Sequence, residues 1–141
     1  MPTLEHAISI AASAHAGYLA PNDEPYILHP LRVMLALEGD EERIVGVLHD
    51  VVEKTGWSLD NLRSEDFPEH ILAAIDSVTR RHGEEYTDFV QRTRENDLGR
   101  RVKIADLKDN IKTVQSYRES ADAREKLAKY QQALRVLSRP V

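Results

Sequence analysis

The sequence contains no cysteine, which excludes disulfides and thiolate metal sites and leaves His, Asp and Glu as the side chains able to hold a metal. No apolar run approaches the roughly 20 residues needed to cross a bilayer, and the N-terminus lacks a basic flank followed by an uninterrupted apolar stretch. The expected address is the cytoplasm. Basic charge is scarce as well: 19 Lys and Arg stand against 24 Asp and Glu, a net charge of −5. That balance favours solubility and offers little to a nucleic acid or an anionic membrane. A polyanionic substrate would therefore need a local positive site, such as a metal. Also missing are repeats, low-complexity tracts and any dividing linker. With 141 residues, 41% of them apolar, the chain reads as one domain over 1–141 with a core of its own.

What is present reads as helix throughout. Thr3 can cap a helix through "LEHAISIAASAHAG", whose apolar residues recur at three- and four-residue spacing and for which Gly17 is a natural stop. The prolines and the Asn-Asp pair of "YLAPNDEPYI" mark a loop. Pro30 suits the first turn of a second helix, "PLRVMLALE". "EERIVGVLHDVVEKT" opens with acidic residues, as the helix dipole favours, and reads as one continuous third helix. Ser58 caps "LDNLRSED", Pro68 opens "PEHILAAIDSVTRR", and "YTDFVQRTREN" and "LGRRVKIADLKDNIKTVQSY" follow. The final "SADAREKLAKYQQALRVLSR" carries Leu127, Tyr130, Leu134 and Leu137 on one stripe, expected to pack on its own bundle. Valine and isoleucine fall at helical rather than alternating positions, so the architecture expected is an all-α bundle of about seven or eight helices.

Within "GVLHDVVEKT" the apolar Val47, Leu48, Val51 and Val52 enclose the third helix, so His49 and Asp50 cannot both reach solvent. Burying a charge without a partner costs several kcal/mol, and coordination of a metal is one way to offset that. Glu53, four residues after His49 and three after Asp50, shares their face. His29, at the start of the second helix, and Asp106, set among Ile104, Ala105 and Leu107, repeat the pattern. Two imidazoles and two carboxylates make a nitrogen and oxygen donor set suited to Mn, Fe, Zn or Mg. His15, by contrast, reads as a hydrogen-bonded core residue.

The order His29, His49-Asp50, Asp106 resembles the H…HD…D signature of the HD-domain metal-dependent phosphohydrolases. "EPYILHPLRV", "VGVLHDVVEKT" and "RRVKIADLKDNIKT" are similar to the hydrolase domain of the RelA/SpoT group and its small single-domain relatives, which remove pyrophosphate from the 3′ position of (p)ppGpp. The resemblance runs from about Ala14 to Thr113. It implies an HD-domain bundle in which His29, His49, Asp50 and Asp106 coordinate one divalent metal, Mn²⁺ foremost, with Fe, Zn or Mg as alternatives. It implies that Glu53 orients or deprotonates the attacking water and that Asn110 and Thr113 contact a small phosphorylated nucleotide near its ribose and phosphate. Lys54, Arg100, Arg101 and Lys103 are candidates to hold the leaving group. The chain is too short for the synthetase and regulatory domains of the long enzymes and resembles their stand-alone relatives.

Two departures bear on substrate. Where the alarmone hydrolases carry an Arg-Lys pair that packs on guanine, this chain has Ala20 and Pro21. Where they carry a Glu-Asp pair, it has Glu53-Lys54, a cation in the place of a second catalytic carboxylate. Three functions are therefore weighed: hydrolysis of (p)ppGpp, hydrolysis of another nucleotide such as a 5′-monophosphate, and a metal- or nucleotide-binding module with little turnover.

Overall fold

The computed structural model describes residues 1–140, and among these the secondary structure is helical apart from one isolated bridge between Leu19 and Pro25. Nine helices follow in order: α1 Leu4–Ala14, α2 Leu28–Leu35, α3 Asp40–Leu48, α4 Val51–Lys54, α5 Leu59–Ser64, α6 Glu69–Ser77, α7 Tyr86–Arg94, α8 Asp97–Ser116 and α9 Ala121–Ser138. Local chemistry sets the starts. The Thr3 hydroxyl accepts from the His6 N–H, Ser58 and Asn61 form a reciprocal capping box, and Asn96 and Ser120 cap α8 and α9. Each such cap satisfies amide donors that have no partner inside the helix.

The all-α expectation holds, but the third helix is not continuous. It divides at His49-Asp50 into α3 and α4. In an unbroken helix the Gly46 carbonyl would accept from the Asp50 N–H. Here it accepts from Nδ1 of His49 at 2.6 Å, so the imidazole takes the place of a backbone rung and the chain turns at the residues that carry the site.

The main core joins α1, α2, α3 and α6 with the first half of α8, through side chains that include Ile10, Val33, Ile44, Leu48, Leu72, Ile75 and Val102. A smaller cluster of Val90, Leu107, Ala133 and Leu137 fastens α9 to α7 and α8, with Tyr130 and Leu134 packed against it. The C-terminal stripe thus lies on its own bundle. Helix α8 runs past α2 and α3 on one side and α7 and α9 on the other, so its middle turns connect both clusters. Its first turn comes very close to α6: a Cβ on Gly99 would lie 1.9 Å from the Ser77 hydroxyl. No helix among the described residues is long and apolar enough to cross a membrane.

Candidate metal centre and its cavity

The second residue of α2, the break between α3 and α4, and the middle of α8 meet at one point. His29 Nε2 lies 2.9 Å from Asp106 Oδ1 and 3.6 Å from Asp50 Oδ2. His49 Nε2 lies 3.1 Å from the same Asp106 oxygen and 3.2 Å from the same Asp50 oxygen. All four side chains are buried. Both histidines are anchored at their other nitrogen: Nδ1 of His49 donates to the Gly46 carbonyl, and Nδ1 of His29 donates to Asp109 Oδ2 at 2.7 Å. An imidazole held at Nδ1 by an acceptor presents Nε2 as the ligand nitrogen, and outer partners of this kind orient and strengthen metal ligands. Two Nε2 atoms and two buried carboxylates converging at one point fit a divalent cation, and the donor types suit Mn, Fe, Zn or Mg.

The electrostatics agree with that fit. Burial alone would push Asp50 and Asp106 up, but His49 opposes it at Asp50, and Lys103 and then His49 oppose it at Asp106, so both stay below the usual carboxylate range. Burial would lower His49, yet Asp50 and Asp106 outweigh it and raise the imidazole well above its ordinary value. The cluster is thus a set of carboxylates held ionised around nitrogens that must carry protons or share a cation. Further side chains brace it. Lys103 Nζ lies 2.8 Å from Asp106 Oδ2, Asn110 Nδ2 donates to Asp106 Oδ1 at 3.3 Å, and the Tyr26 hydroxyl donates to Asp50 Oδ2. Burial, followed by the Asp50 charge, pushes the Tyr26 phenol upward, which keeps it a donor.

The cluster forms one end of a cavity of about 300 Å³. Glu53, Lys54, Lys103, Asn110 and Thr113 all line it, as does Pro21. Glu53 is exposed, and with the helix broken its Oε1 accepts from the Arg80 backbone N–H at 2.8 Å instead of joining the buried donors. The Lys54 ammonium stands over the Tyr26 ring, 5.6 Å from its centroid. Arg100 and Arg101 do not line this cavity. Both are engaged with Asp97, and Arg101 also pairs with Glu42 at 2.7 Å, because the start of α8 faces away from the cavity. His15 departs from expectation too. It is buried, but neither ring nitrogen has a hydrogen-bond partner among the described residues; its ring packs on Tyr26, centroids 5.1 Å apart.

Sequence reasoning missed Tyr26 and Asp109, and it missed Arg80, Tyr86, Lys126 and Lys129, which line the cavity from α7, α9 and the segment before α7. Asp109 had a signal, since it follows Asp106 by three residues and Arg32 follows His29 by three, placing two pairs on facing helix surfaces. The α9 lysines had none, because nothing local marks which of several exposed lysines faces a cavity.

A helical bundle with a buried His-Asp centre at the end of a polar cavity defines the class, and comparison with known proteins gives the family. The model of the HD domain matches residues 7–137, and the chain belongs to that family. It is 30% identical over 138 residues to a guanosine-3′,5′-bis(diphosphate) 3′-pyrophosphohydrolase of Aquifex aeolicus, which covers 89% of this chain and 19% of the relative. Over 80 residues it is 40% identical to a protein of the same name from Borreliella burgdorferi, 54% of this chain and 12% of the relative. The chain therefore spans a fifth or less of these curated relatives. A solved structure described as a metazoan ortholog of SpoT that hydrolyzes ppGpp superposes with a TM-score of 0.77 at 19% identity, covering 97% of this chain and 86% of that one. At that identity the likeness establishes the shared fold.

Proposed function

We propose that this HD domain is a metal-dependent phosphohydrolase of a small phosphorylated nucleotide, with the 3′-pyrophosphate of (p)ppGpp as its first candidate substrate. The observation that carries the reading is the convergence of two Nδ1-anchored imidazoles and two carboxylates at the end of a cavity lined by Lys54, Arg80, Lys103, Lys126 and Lys129. Relatives named for (p)ppGpp hydrolysis support the substrate. In this reading residues 1–141 act as one HD domain in the cytoplasm.

His29, His49, Asp50 and Asp106 would hold the ion, with Mn²⁺ the first candidate. When bound, a divalent ion lowers the pKa of water toward neutrality and polarises a phosphoryl oxygen. Glu53, at the cavity wall, takes the proton of the attacking water. Asn110 holds the Asp106 carboxylate and turns its remaining polar edge, with Thr113, toward the ribose. Lys103 steadies Asp106 and faces the phosphate, while Lys54 offers its ammonium to the leaving group.

Ala20-Pro21 and Lys54 favour a second reading, in which the same centre hydrolyses another nucleotide, such as a 5′-monophosphate; with little turnover it would serve as a binding module. The test is pyrophosphate release from ppGpp by the Mn²⁺-loaded protein, beside a His49→Ala control checked for helical content by circular dichroism. Release that the control abolishes establishes the alarmone reading. Its absence in protein holding one metal per chain sends the substrate elsewhere, with Lys54→Asp the first variant to assay.

A further inference from the structure

Half-buried Arg92, in the last turn of α7, fastens the connection between α6 and α7 with all three of its guanidinium nitrogens. Nε and Nη2 donate to the two Glu84 carboxylate oxygens, each at 2.9 Å. Nη1 donates to the Asp76 carbonyl at 2.9 Å, and Nη2 also donates to the Thr79 carbonyl at 2.8 Å. A fork-shaped cation held by both oxygens of a carboxylate has little freedom left to turn. Glu84 is tied into the same connection: its carboxylate accepts from the Arg81 N–H at 3.1 Å and its carbonyl from Arg80 Nε at 3.0 Å. The bond from Arg92 is the main influence bringing the Glu84 carboxyl down to about 2, so the pair stays charged at neutral pH.

One of these bonds reaches Glu53 through a single peptide unit. The Thr79 carbonyl gripped by Arg92 and the Arg80 N–H that donates to Glu53 Oε1 at 2.8 Å belong to the same peptide. No cis peptide occurs among the described residues, and a trans peptide is planar, with its C=O and N–H directed opposite ways. Fixing the oxygen therefore fixes the direction of the N–H. The guanidinium charge also polarises the amide, and hydrogen bonds in such a chain strengthen one another. Glu53 is exposed, and its carboxylate makes no other hydrogen bond among the described residues, so this N–H is what orients it at the cavity wall.

We propose that Arg92 is a positioning residue for Glu53: acting across the Thr79–Arg80 peptide, it aims the N–H that holds the carboxylate. Arg92 does not line the cavity, and its influence passes wholly through that peptide. The consequence for turnover rests on the reading of Glu53 as the proton acceptor, but the link from Arg92 to the carboxylate is measured without substrate or metal.

Exchange of the Arg80 amide hydrogen with water is followed by NMR in the wild type, Glu53→Ala, Arg92→Gln and Arg92→Lys. Glu53→Ala is expected to speed it about tenfold, the effect of losing one hydrogen bond to a charged group. Both Arg92 variants are expected to do the same, since the single ammonium of lysine cannot serve Glu84 and two carbonyls together. Amide signals of α1 and α3 at their wild-type positions show that the core is intact, and the lysine variant, which keeps the charge, carries the test if the glutamine variant does not fold. Exchange at the wild-type rate in a folded Arg92 variant, or in Glu53→Ala, overturns the proposal. On a hydrolysed substrate, Arg92→Gln should lower kcat about tenfold with KM unchanged, yet slow the Glu53→Gln enzyme no further. Equal losses in the two backgrounds would make Arg92 a structural brace and overturn the proposal as well. Turnover untouched by Glu53→Gln would refute the role given to Glu53 in the preceding section, while the exchange rates would still decide whether Arg92 orients it.

Discussion

Asp109 joins His29 to Arg32: its Oδ2 accepts from His29 Nδ1 at 2.7 Å while the carboxylate receives Arg32 Nε at 2.9 Å and Nη2 at 3.2 Å. One carboxylate on α8 thereby fixes both the tautomer of a buried imidazole of the His-Asp cluster and the position of α2. Burial would raise Asp109, but the bonds from His29 and Arg32 outweigh it and keep the carboxyl below its usual range, so it acts as an acceptor at all physiological pH.

Asp109→Asn should lower divalent-metal affinity by about 10- to 100-fold, the usual effect of losing an outer partner of a ligand histidine. Competition with a chelator measures it. Affinity unchanged from wild type would confine Asp109 to fastening α2 on α8.

Glu53→Gln removes the carboxylate proposed to take a proton but leaves the buried donors in place. Turnover should fall by about 10²- to 10⁴-fold with metal stoichiometry unchanged by elemental analysis. Full activity would assign the proton transfer to another group.

Gly99→Ala places a methyl within 1.9 Å of the Ser77 hydroxyl and 3.3 Å of the Ala74 carbonyl oxygen. The expected cost is about 1–3 kcal/mol of stability, typical of overpacking, read by urea denaturation. Ser77→Ala in the same background should recover part of the loss, since it removes the nearer atom. A neutral Gly99→Ala would mean that α6 and α8 separate freely.

His15 supplies a pH dependence. Burial lowers its pKa below the ordinary value, so the unfolded chain binds a proton that the folded protein does not. Its neutral form is compatible with the fold above the unfolded pKa, near 6.5, and stability is lost as pH falls through that value, at up to about 1.4 kcal/mol per pH unit. Denaturation of wild type and His15→Leu at pH 8 and pH 5.5 isolates the effect. The variant should lose less stability on acidification, and equal losses would mean that the ring is protonated in the folded state.

Much of the fold was legible because its signals are local. Thr3, Ser58 and Pro68 mark helix starts by chemistry that acts within one turn, and the stripe ending in Leu137 needed only helical periodicity to be recognised. The break at His49-Asp50 was not legible, because it depends on a side chain taking a backbone carbonyl. Hydrophobic spacing alone does not register that competition.

The sequence by itself determined the donor chemistry of this protein: without cysteine, a metal must meet imidazole and carboxylate, and His29, His49, Asp50 and Asp106 were the residues set in apolar helical surroundings. Tertiary structure decided which of them touch and what surrounds them. His29 and Asp106 are 77 residues apart in sequence yet in direct contact, Nε2 to Oδ1 at 2.9 Å, and that contact follows from how α2 and α8 pack. The same packing left His15 without a hydrogen bond, turned Arg100 and Arg101 away from the cavity, and brought Arg80 and Lys129 onto one tyrosine ring. The physical reason is one of range. Helix formation is governed by neighbours three and four positions away, whereas a cavity is made by surfaces whose relative placement is set only when the whole core closes.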